Sequence, residues 1–261
     1  METITDHTTI TTGPANTNDR EVVIEIKELH KSFGDHEVLT GITMDLYKGE
    51  NLVVLGRSGQ GKSVLIKCIA GLLDYHEGIL KVYGSEIKEL KEEELRKARM
   101  KLGFLFQSGA LYDSMTVREN LEFPLTRVLG LTDKNEIDER INEMLDSVGL
   151  LDAIDKMPSD LSGGMRKRIG LARTLILKPE IMLYDEPTTG LDPITSKEIS
   201  ELMVQLQKKY KISSVIITHD MDCAKITADR ILVMNNGKYI AGGTYEILEQ
   251  SSNALVNSFF K

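Results

Sequence analysis

The 261-residue chain has no tryptophan, only six prolines and only two cysteines, Cys68 and Cys223. Two cysteines far apart in sequence do not form a disulfide framework, so we expect the chain to work in a reducing cytosol. No run reaches the ~18 apolar residues that a membrane-spanning helix needs. The first 20 residues also lack the basic start and apolar run of a signal peptide. If the protein acts at a membrane, a partner must anchor it there.

The chain is acidic, with a net charge of −8 and a sequence pI of about 5.3. An acidic surface does not favour the phosphate backbone, so we expect no nucleic-acid partner. The basic cluster Arg166–Arg168 is the one local exception, and we attribute it to an exposed helix surface. With 41% hydrophobic residues, the chain can bury a sizeable core, as one large domain or two small ones.

The spacing of apolar residues indicates an α/β protein. Residues 1–20 are polar and Thr-rich, which predicts a disordered tail. Beyond them, strand-like runs alternate with helical segments, as in a parallel α/β sheet. Residues 106–165 have few β-branched runs and two plausible helices, so we interpret them as a helical insertion. We therefore predict one domain over residues 21–249, with no internal repeat, and a short C-terminal extension over residues 250–261.

One glycine-rich stretch, GRSGQGKS, matches the phosphate-binding pattern G-x-x-x-x-G-K-[ST] completely. An apolar strand-like run precedes it and a helix-like run follows, which is the context that this motif requires. Glycines let successive N–H groups turn inward around an anion, and the helix start adds partial positive charge. Lys62 can reach the β- and γ-phosphates of a nucleotide, and the Ser63 hydroxyl can ligate Mg²⁺. The stretch consists of Gly56, Arg57, Ser58, Gly59, Gln60, Gly61, Lys62 and Ser63.

A second buried-strand pattern, IMLYD, ends in the two acids Asp185 and Glu186. A carboxylate at the end of a strand suits Mg²⁺ coordination, usually through water, and we assign this role to Asp185. Glu186 can orient and polarise an attacking water as a general base. Taken alone, the pair could also be a solvated acidic turn.

A second glycine-containing helix start follows Leu161. Ser162 is a good N-cap, and Gly163 and Gly164 expose backbone N–H groups to an anion. One γ-phosphate cannot easily use both helix starts of the same chain, which suggests that a second subunit supplies one of them. An ordinary capped helix is the alternative for this stretch by itself.

The motifs GRSGQGKS, FQSGALY, LSGGM, IMLYDEP, TTGLD and ITHD follow one another in an order that resembles the ABC (ATP-binding cassette) ATPase family, over about residues 21–249. The resemblance implies a P-loop NTPase fold with a RecA-like parallel sheet core, an antiparallel β subdomain and an inserted α-helical subdomain. It also implies an ATPase that uses ATP and Mg²⁺ and works as a homodimer with integral-membrane permease subunits.

The resemblance also implies roles for individual residues. Phe33 resembles the aromatic residue that stacks on adenine. Gln107 resembles the Q-loop residue, which contacts Mg²⁺ and the attacking water, and His219 resembles the switch histidine at the γ-phosphate. Asp192 resembles the acid at the dimer seam. The stretch Ser162, Gly163 and Gly164 resembles the signature that grips the γ-phosphate bound to the partner subunit.

Several stretches are similar to the Mla/Mce-type lipid-transport ATPases within this family: QSGALY (107–112), LSGGM (161–165), TTGLDPIT (188–195) and the tail ALVNSFF (254–260). This similarity implies phospholipid transport in the cell envelope, an Mce-type lipid-binding partner and a peripheral position on the cytoplasmic face of the inner membrane. Another ABC importer or exporter is the alternative.

Two rival classes are less well supported by the sequence. A soluble ABC ATPase acting on DNA or the ribosome usually has coiled-coil inserts or two cassettes in one chain, and this chain has neither. A nucleotide kinase would need a lid and an acceptor pocket, and it would give the signature and His219 no function.

Overall fold

The computed structural model describes residues 20–260, which form two β-sheets with helices around them. The predicted tail, Arg20 excepted, and Lys261 lie outside this range. The strands are β1 Val22–Phe33, β2 His36–Tyr47, β3 Asn51–Leu55, β4 Glu77–Val82, β5 Ser85–Glu86, β6 Leu102–Leu105, β7 Ile181–Asp185, β8 Ser213–Thr218, β9 Arg230–Asn235 and β10 Lys238–Gly243. The helices are α1 Lys62–Ile69, α2 Glu92–Met100, α3 Val117–Arg127, α4 Lys134–Ser147, α5 Gly163–Leu175, α6 Pro193–Tyr210, α7 Met221–Thr227, α8 Tyr245–Glu249 and α9 Ala254–Asn257, with short 3-10 turns at Ile87–Glu89, Leu151–Ala153 and Pro158–Asp160.

The larger sheet has the strand order β10-β9-β3-β8-β7-β6, and its five strands from β9 to β6 are parallel. The central strands β3, β7 and β8 are buried along their whole length, and each contains an uninterrupted apolar run, as strands covered on both faces require. Ligands of open α/β sheets bind beyond the carboxyl ends of the strands. At that edge β3 leads into the glycine loop, β7 into Glu186 and β8 into His219.

The smaller sheet is antiparallel, with the order β2-β1-β4-β5. Its inner side shares a hydrophobic core with α1 and with one side of the larger sheet. The predicted α/β architecture, with a parallel core and an antiparallel part, is confirmed.

A mainly helical segment separates β6 from β7. It contains α3 and α4, which pack against α5 in the second hydrophobic core. Thr116 and Glu119 form a capping box at the start of α3, which explains where this helix begins. Helix α2 is highly charged, and none of its residues is buried. Within residues 20–260 no helix is both long enough and apolar enough to cross a membrane.

Candidate functional site

The glycine loop joins the end of β3 to α1 and has the conformation that its sequence predicts. Gly61 is the N-cap of α1 with φ +97°, where an L side chain is strained, and an added Cβ would lie 2.7 Å from the backbone oxygen of Val38. No side chain caps α1, and its first turn contains no acidic residue. The first N–H groups of the helix are therefore available to an anion.

Lys62 lies at the centre of this loop and is only 4% exposed. Its ammonium donates to the backbone oxygens of Gly56 (2.7 Å) and Arg57 (3.0 Å), and it lies 3.3 Å from Oε1 of Glu186. The buried positive charge of Lys62 therefore lies between the glycine loop and the carboxylate of Glu186, which the sequence assigns as the general base.

Ser63 and Asp185 bring two oxygen ligands together at the start of α1 and the end of β7. The Ser63 hydroxyl donates to Oδ1 of Asp185 over 2.9 Å. Hydroxyl and carboxylate oxygens fit Mg²⁺, which binds few protein ligands and completes its octahedron with water and phosphate oxygens. No group of three or more His, Cys, Asp or Glu side chains that could hold a metal ion occurs in residues 20–260.

Glu186 follows β7 in a left-handed conformation, with φ +52°, which costs about 1–3 kcal/mol for a residue other than glycine. Its N–H donates to the backbone oxygen of Ile217 over 2.9 Å. Its Oε2 lies 2.8 Å from Nδ1 of His219 and accepts the His219 N–H over 3.3 Å. The Thr189 hydroxyl lies 3.4 Å from the same oxygen. These contacts keep a half-buried carboxylate at the sheet edge, where a water molecule could be activated.

These residues share one cleft of about 380 Å³. It brings together eight residues that the sequence singled out: Ser58, Gly59, Gly61, Lys62, Ser63, Gln107, Glu186 and His219. Asp185 joins them through Ser63. Val38 also lines the cleft, although no motif pointed to it, and so does Thr189, which the TTGLD motif contains without a role assigned to it. Gln60 lies at the loop's outer side, where its side-chain oxygen accepts the Asn236 N–H.

The signature helix start lies outside this cleft. Ser162 is exposed and caps α5, because its hydroxyl accepts the Met165 N–H over 3.3 Å. Gly163 and Gly164 pack against Leu191 and Thr195, on either side of Asp192. Asp192 in turn caps α6 through the N–H groups of Ile194 and Thr195. The hydrogen bond from the Thr195 hydroxyl, and then those from these N–H groups, hold the pKa of the Asp192 carboxyl below its usual value.

Phe33 does not line the cleft either. It ends β1, is 49% exposed and has the Lys31 ammonium 5.0 Å from its ring centroid. An exposed aromatic ring in this position is free to stack on a flat ligand, and the adenine role of Phe33 stays a prediction.

Lys167 corrects one expectation from the sequence. The basic cluster was attributed to an exposed helix surface, but Lys167 is only 5% exposed. Its ammonium donates to the backbone oxygen of Gln107 and lies 3.4 Å from that of Glu186. Burial lowers the pKa of this ammonium, while the charges of Glu186 and Asp185 oppose the shift. Helical periodicity could have revealed it, since Lys167 lies on the same face of α5 as the buried residues Gly164 and Leu171.

A protein-family model described as "ABC transporter" matches residues 39–189, which begin within β2 and end at Thr189, shortly after β7. The chain belongs to the ABC transporter family. This ABC protein is an ATPase that binds ATP with Mg²⁺.

The relatives of this chain are named after different substances. The methionine import ATP-binding protein MetN of Clostridium tetani is 40% identical over 221 residues, 85% of this chain and 69% of that protein. The chloroplastic protein TRIGALACTOSYLDIACYLGLYCEROL 3 of Arabidopsis thaliana is 37% identical over 93% of this chain and 74% of its own length. Among solved structures, a dimeric ATP-binding cassette in a post-hydrolysis state with ADP and phosphate matches with a TM-score of 0.76 and 30% identity, over 85% of this chain and 98% of that one.

Proposed function

We propose that this ABC ATPase works as half of a homodimer that holds each ATP between the glycine loop of one copy and the Ser162–Gly164 helix start of the other. The separation of the two helix starts supports this arrangement. Only the first lies beside Asp185 and Glu186, whereas the second packs on the Leu191–Thr195 segment outside the cleft. The dimeric cassette with ADP and phosphate is a precedent for this assembly.

Within each site we assign the following roles. Gly56–Ser63 surrounds the phosphates, and Ser63, Asp185 and Gln107 hold Mg²⁺ directly or through water. Glu186 orients and polarises the attacking water, and His219, hydrogen-bonded to it, contacts the γ-phosphate. ATP binding closes the dimer, and hydrolysis removes the γ-phosphate that joins the two copies, so the interface opens again.

We propose a lipid as the cargo and membrane permease subunits as the partners, with an Mce-type lipid-binding protein in the same system. The similarity of residues 107–112, 161–165 and 188–195 to the Mla/Mce-type ATPases supports this choice. So does a relative whose name is that of a galactolipid. The ATPase would then act on the cytoplasmic face of the membrane, held there by the permease.

Amino-acid import is the second candidate, because several relatives are named methionine import proteins. Purification of the chain from its native membranes separates the two. A lipid transporter is expected to bring down a permease with bound phospholipid and to change its ATPase rate with phospholipid in the surrounding bilayer. An ATPase rate that responds to methionine and a solute-binding protein, and not to lipid, would favour the importer.

The Glu186→Gln variant tests the dimer directly. Without a carboxylate to activate water, hydrolysis should fall by about 10²–10⁴-fold, the usual contribution of a general base. ATP should then hold two copies together, which light scattering detects as a doubled mass. Single copies at saturating Mg-ATP, also in the presence of the permease, would refute the two-subunit site.

Ser162→Arg tests the other half of the site. An Arg side chain at the exposed start of α5 should block approach of the partner's nucleotide while the chain's own cleft stays intact. We expect no ATP-dependent dimer and a Kd for ATP within about threefold of the wild-type value, because the substitution does not reach the chain's own cleft. This change in Kd is smaller than the tenfold change to which about 1.4 kcal/mol corresponds. Loss of ATP binding itself would place Ser162 in the chain's own cleft and contradict the proposal.

A further inference from the structure

Helix α5 is in unusually close contact with the segment that follows Gln107. An added Cβ on Gly170 would lie 2.8 Å from the backbone oxygen of Gly109, so the two backbones touch without side chains between them. Further along α5, the Arg173 guanidinium donates to the backbone oxygen of Ala110 and lies 4.4 Å from the ring centroid of Tyr112. The helix and the Q-loop segment therefore behave as one packed unit.

Lys167 connects this unit to the catalytic carboxylate. It lies about 7.5 Å along the helix axis from Ser162, at 1.5 Å per residue, and its side chain is buried. The ammonium donates to the backbone oxygens of Gln107 and Glu186, which belong to the ends of two different strands, β6 and β7. A single buried cation on the signature helix thus holds two backbone segments that carry residues of the chain's own nucleotide cleft.

One end of the Lys167 contact falls on strained backbone. Glu186 has φ +52°, a conformation that persists only where surrounding contacts hold it. Ala110, which accepts from Arg173 on the same helix, has φ +49°. The Glu186 N–H donates to the backbone oxygen of Ile217, and the Glu186 backbone oxygen accepts from both Lys167 and the Thr189 N–H. Removal of the ammonium would leave the Glu186 carbonyl with Thr189 as its donor and the Gln107 carbonyl without the Lys167 donor.

We propose that Lys167 is a positioning residue for hydrolysis, and that it transmits movement of the signature helix to Gln107 and Glu186 of the same chain. Under the proposed two-subunit arrangement, on which this inference rests, Ser162 contacts the ATP of the partner copy. Engagement of one site would then adjust the water-activating residues of the other. Lys167 is buried and does not line the nucleotide cleft, so its effect should appear in the hydrolysis step and not in ATP binding.

The test compares Lys167→Met, which keeps the length of the side chain and removes the charge, with Lys167→Arg, which keeps the charge. The matched control is Lys208→Met on α6, where the lysine is exposed. Steady-state ATPase rates of the full chain give kcat and KM, and a fluorescent ATP analogue gives Kd. We expect Lys167→Met to lower kcat at least tenfold, with KM and Kd within threefold of wild type, and Lys167→Arg to keep at least a third of kcat. Lys208→Met should match wild type.

Two results would overturn the inference. One is a kcat within twofold of wild type for Lys167→Met. The other is an equal loss of kcat in the Met and Arg variants that follows their melting temperatures, because that is the pattern of a merely structural residue.

The Glu186→Gln variant separates failure of this inference from failure of the dimer. If Glu186→Gln forms an ATP-dependent dimer while Lys167→Met keeps its kcat, only the role of Lys167 is wrong. If Glu186→Gln stays a single copy, the two-subunit arrangement is wrong whatever Lys167 does. The double variant Lys167→Met/Glu186→Gln should dimerise at no more than threefold higher ATP, and failure to dimerise would place Lys167 in nucleotide or partner binding.

Discussion

Two helix starts in this molecule expose glycine-rich backbone, but their surroundings differ. The start of α1 has Gly61 as its N-cap with no side-chain cap, a buried Lys62 and the carboxylates of Asp185 and Glu186 close by. The start of α5 is capped by Ser162 and lies against the Leu191–Thr195 segment. The first is equipped to bind nucleotide, metal and water, whereas the second can only offer hydrogen-bond donors.

This difference explains how one fold can divide a reaction between two copies. Residues that need exact mutual geometry come from the carboxyl ends of adjacent parallel strands, where the sheet fixes them. Helix α5, whose start offers hydrogen-bond donors, belongs to the segment between β6 and β7. It contacts the backbone beyond these two strands through the hydrogen bonds of Lys167. We therefore expect changes at the start of α1 to affect binding and changes at the start of α5 to affect assembly.

Among the changes that compare the two helix starts, the largest expected effect is on ATP affinity, through Lys62. Lys62→Met removes the buried charge at the cradle and should weaken ATP binding by about 100-fold, since removal of one partner of a buried charged contact costs ~2–5 kcal/mol. Isothermal titration of the isolated chain measures this change. Ser162→Arg serves as the contrast and should bind ATP normally. Equal losses in both variants would mean that the two helix starts serve the same nucleotide within one chain.

The next effect concerns Mg²⁺ and compares Asp185 with Asp192. Asp185→Asn removes a charge next to Ser63, so the Mg²⁺ concentration needed for ATP to raise the melting temperature should increase about tenfold. Asp192→Asn keeps an equally good N-cap for α6 and should leave that concentration unchanged. A shifted Mg²⁺ requirement in Asp192→Asn would bring Asp192 into the metal site.

Much of this site could be predicted because its chemistry is local in sequence. The cradle follows from Gly56–Ser63 and the acids from the end of an apolar strand, and helix caps such as Ser162 are readable from residue type. The fold class follows from alternating strand and helix patterns. The short strand β6 was not expected, since its four residues, Leu102–Leu105, follow a strongly charged run directly.

The contacts that depend on tertiary packing could not be predicted in the same way. Lys167 carries a charge and is nevertheless buried. Its ammonium donates to backbone oxygens of residues 60 positions before and 19 positions after it, which no local pattern brings together. Val38 enters the cleft from the antiparallel sheet, whose placement over α1 no local pattern specifies. Thr189 faces the Glu186 carboxylate because of the turn after β7, and the TTGLD motif that contains it does not by itself specify this contact.

A smaller effect should distinguish the glycines of the two helix starts. Gly61→Ala forces a side chain to φ +97° and places Cβ 2.7 Å from a backbone oxygen, which should cost at least about 2 kcal/mol of unfolding free energy. Gly164→Ala meets only the side chain of Thr195, whose methyl group lies at 2.6 Å. Moving it costs about 1 kcal/mol for the hydrogen bond of its hydroxyl to Asp192, while alanine gains up to ~1 kcal/mol in helix propensity. Urea unfolding should therefore show a loss at Gly61 that is at least 1 kcal/mol larger. Equal losses would mean that α1 starts without its left-handed cap.

The smallest effect is on thiol reactivity and concerns Cys68, in the last turn of α1. Burial raises the pKa of the Cys68 thiol to about 11, and that of Cys223 also to about 11. At pH 8 only about 0.1% of each is thiolate, so iodoacetamide should react far more slowly than with a free cysteine.

The effect of ATP on this reaction is measured in a Cys223→Ser chain that also carries Ser162→Arg, so that only single copies form. Mg-ATP at 100 times its Kd stabilises the bound state by ~2.7 kcal/mol and should slow labelling of Cys68 further. Amide exchange of α5 beyond its first turn should change less than that of α1, because the nucleotide then contacts α1 alone. Equal protection of both helices in the single copy would show that ATP reaches the signature start without a partner, and the division between the two helix starts would fail.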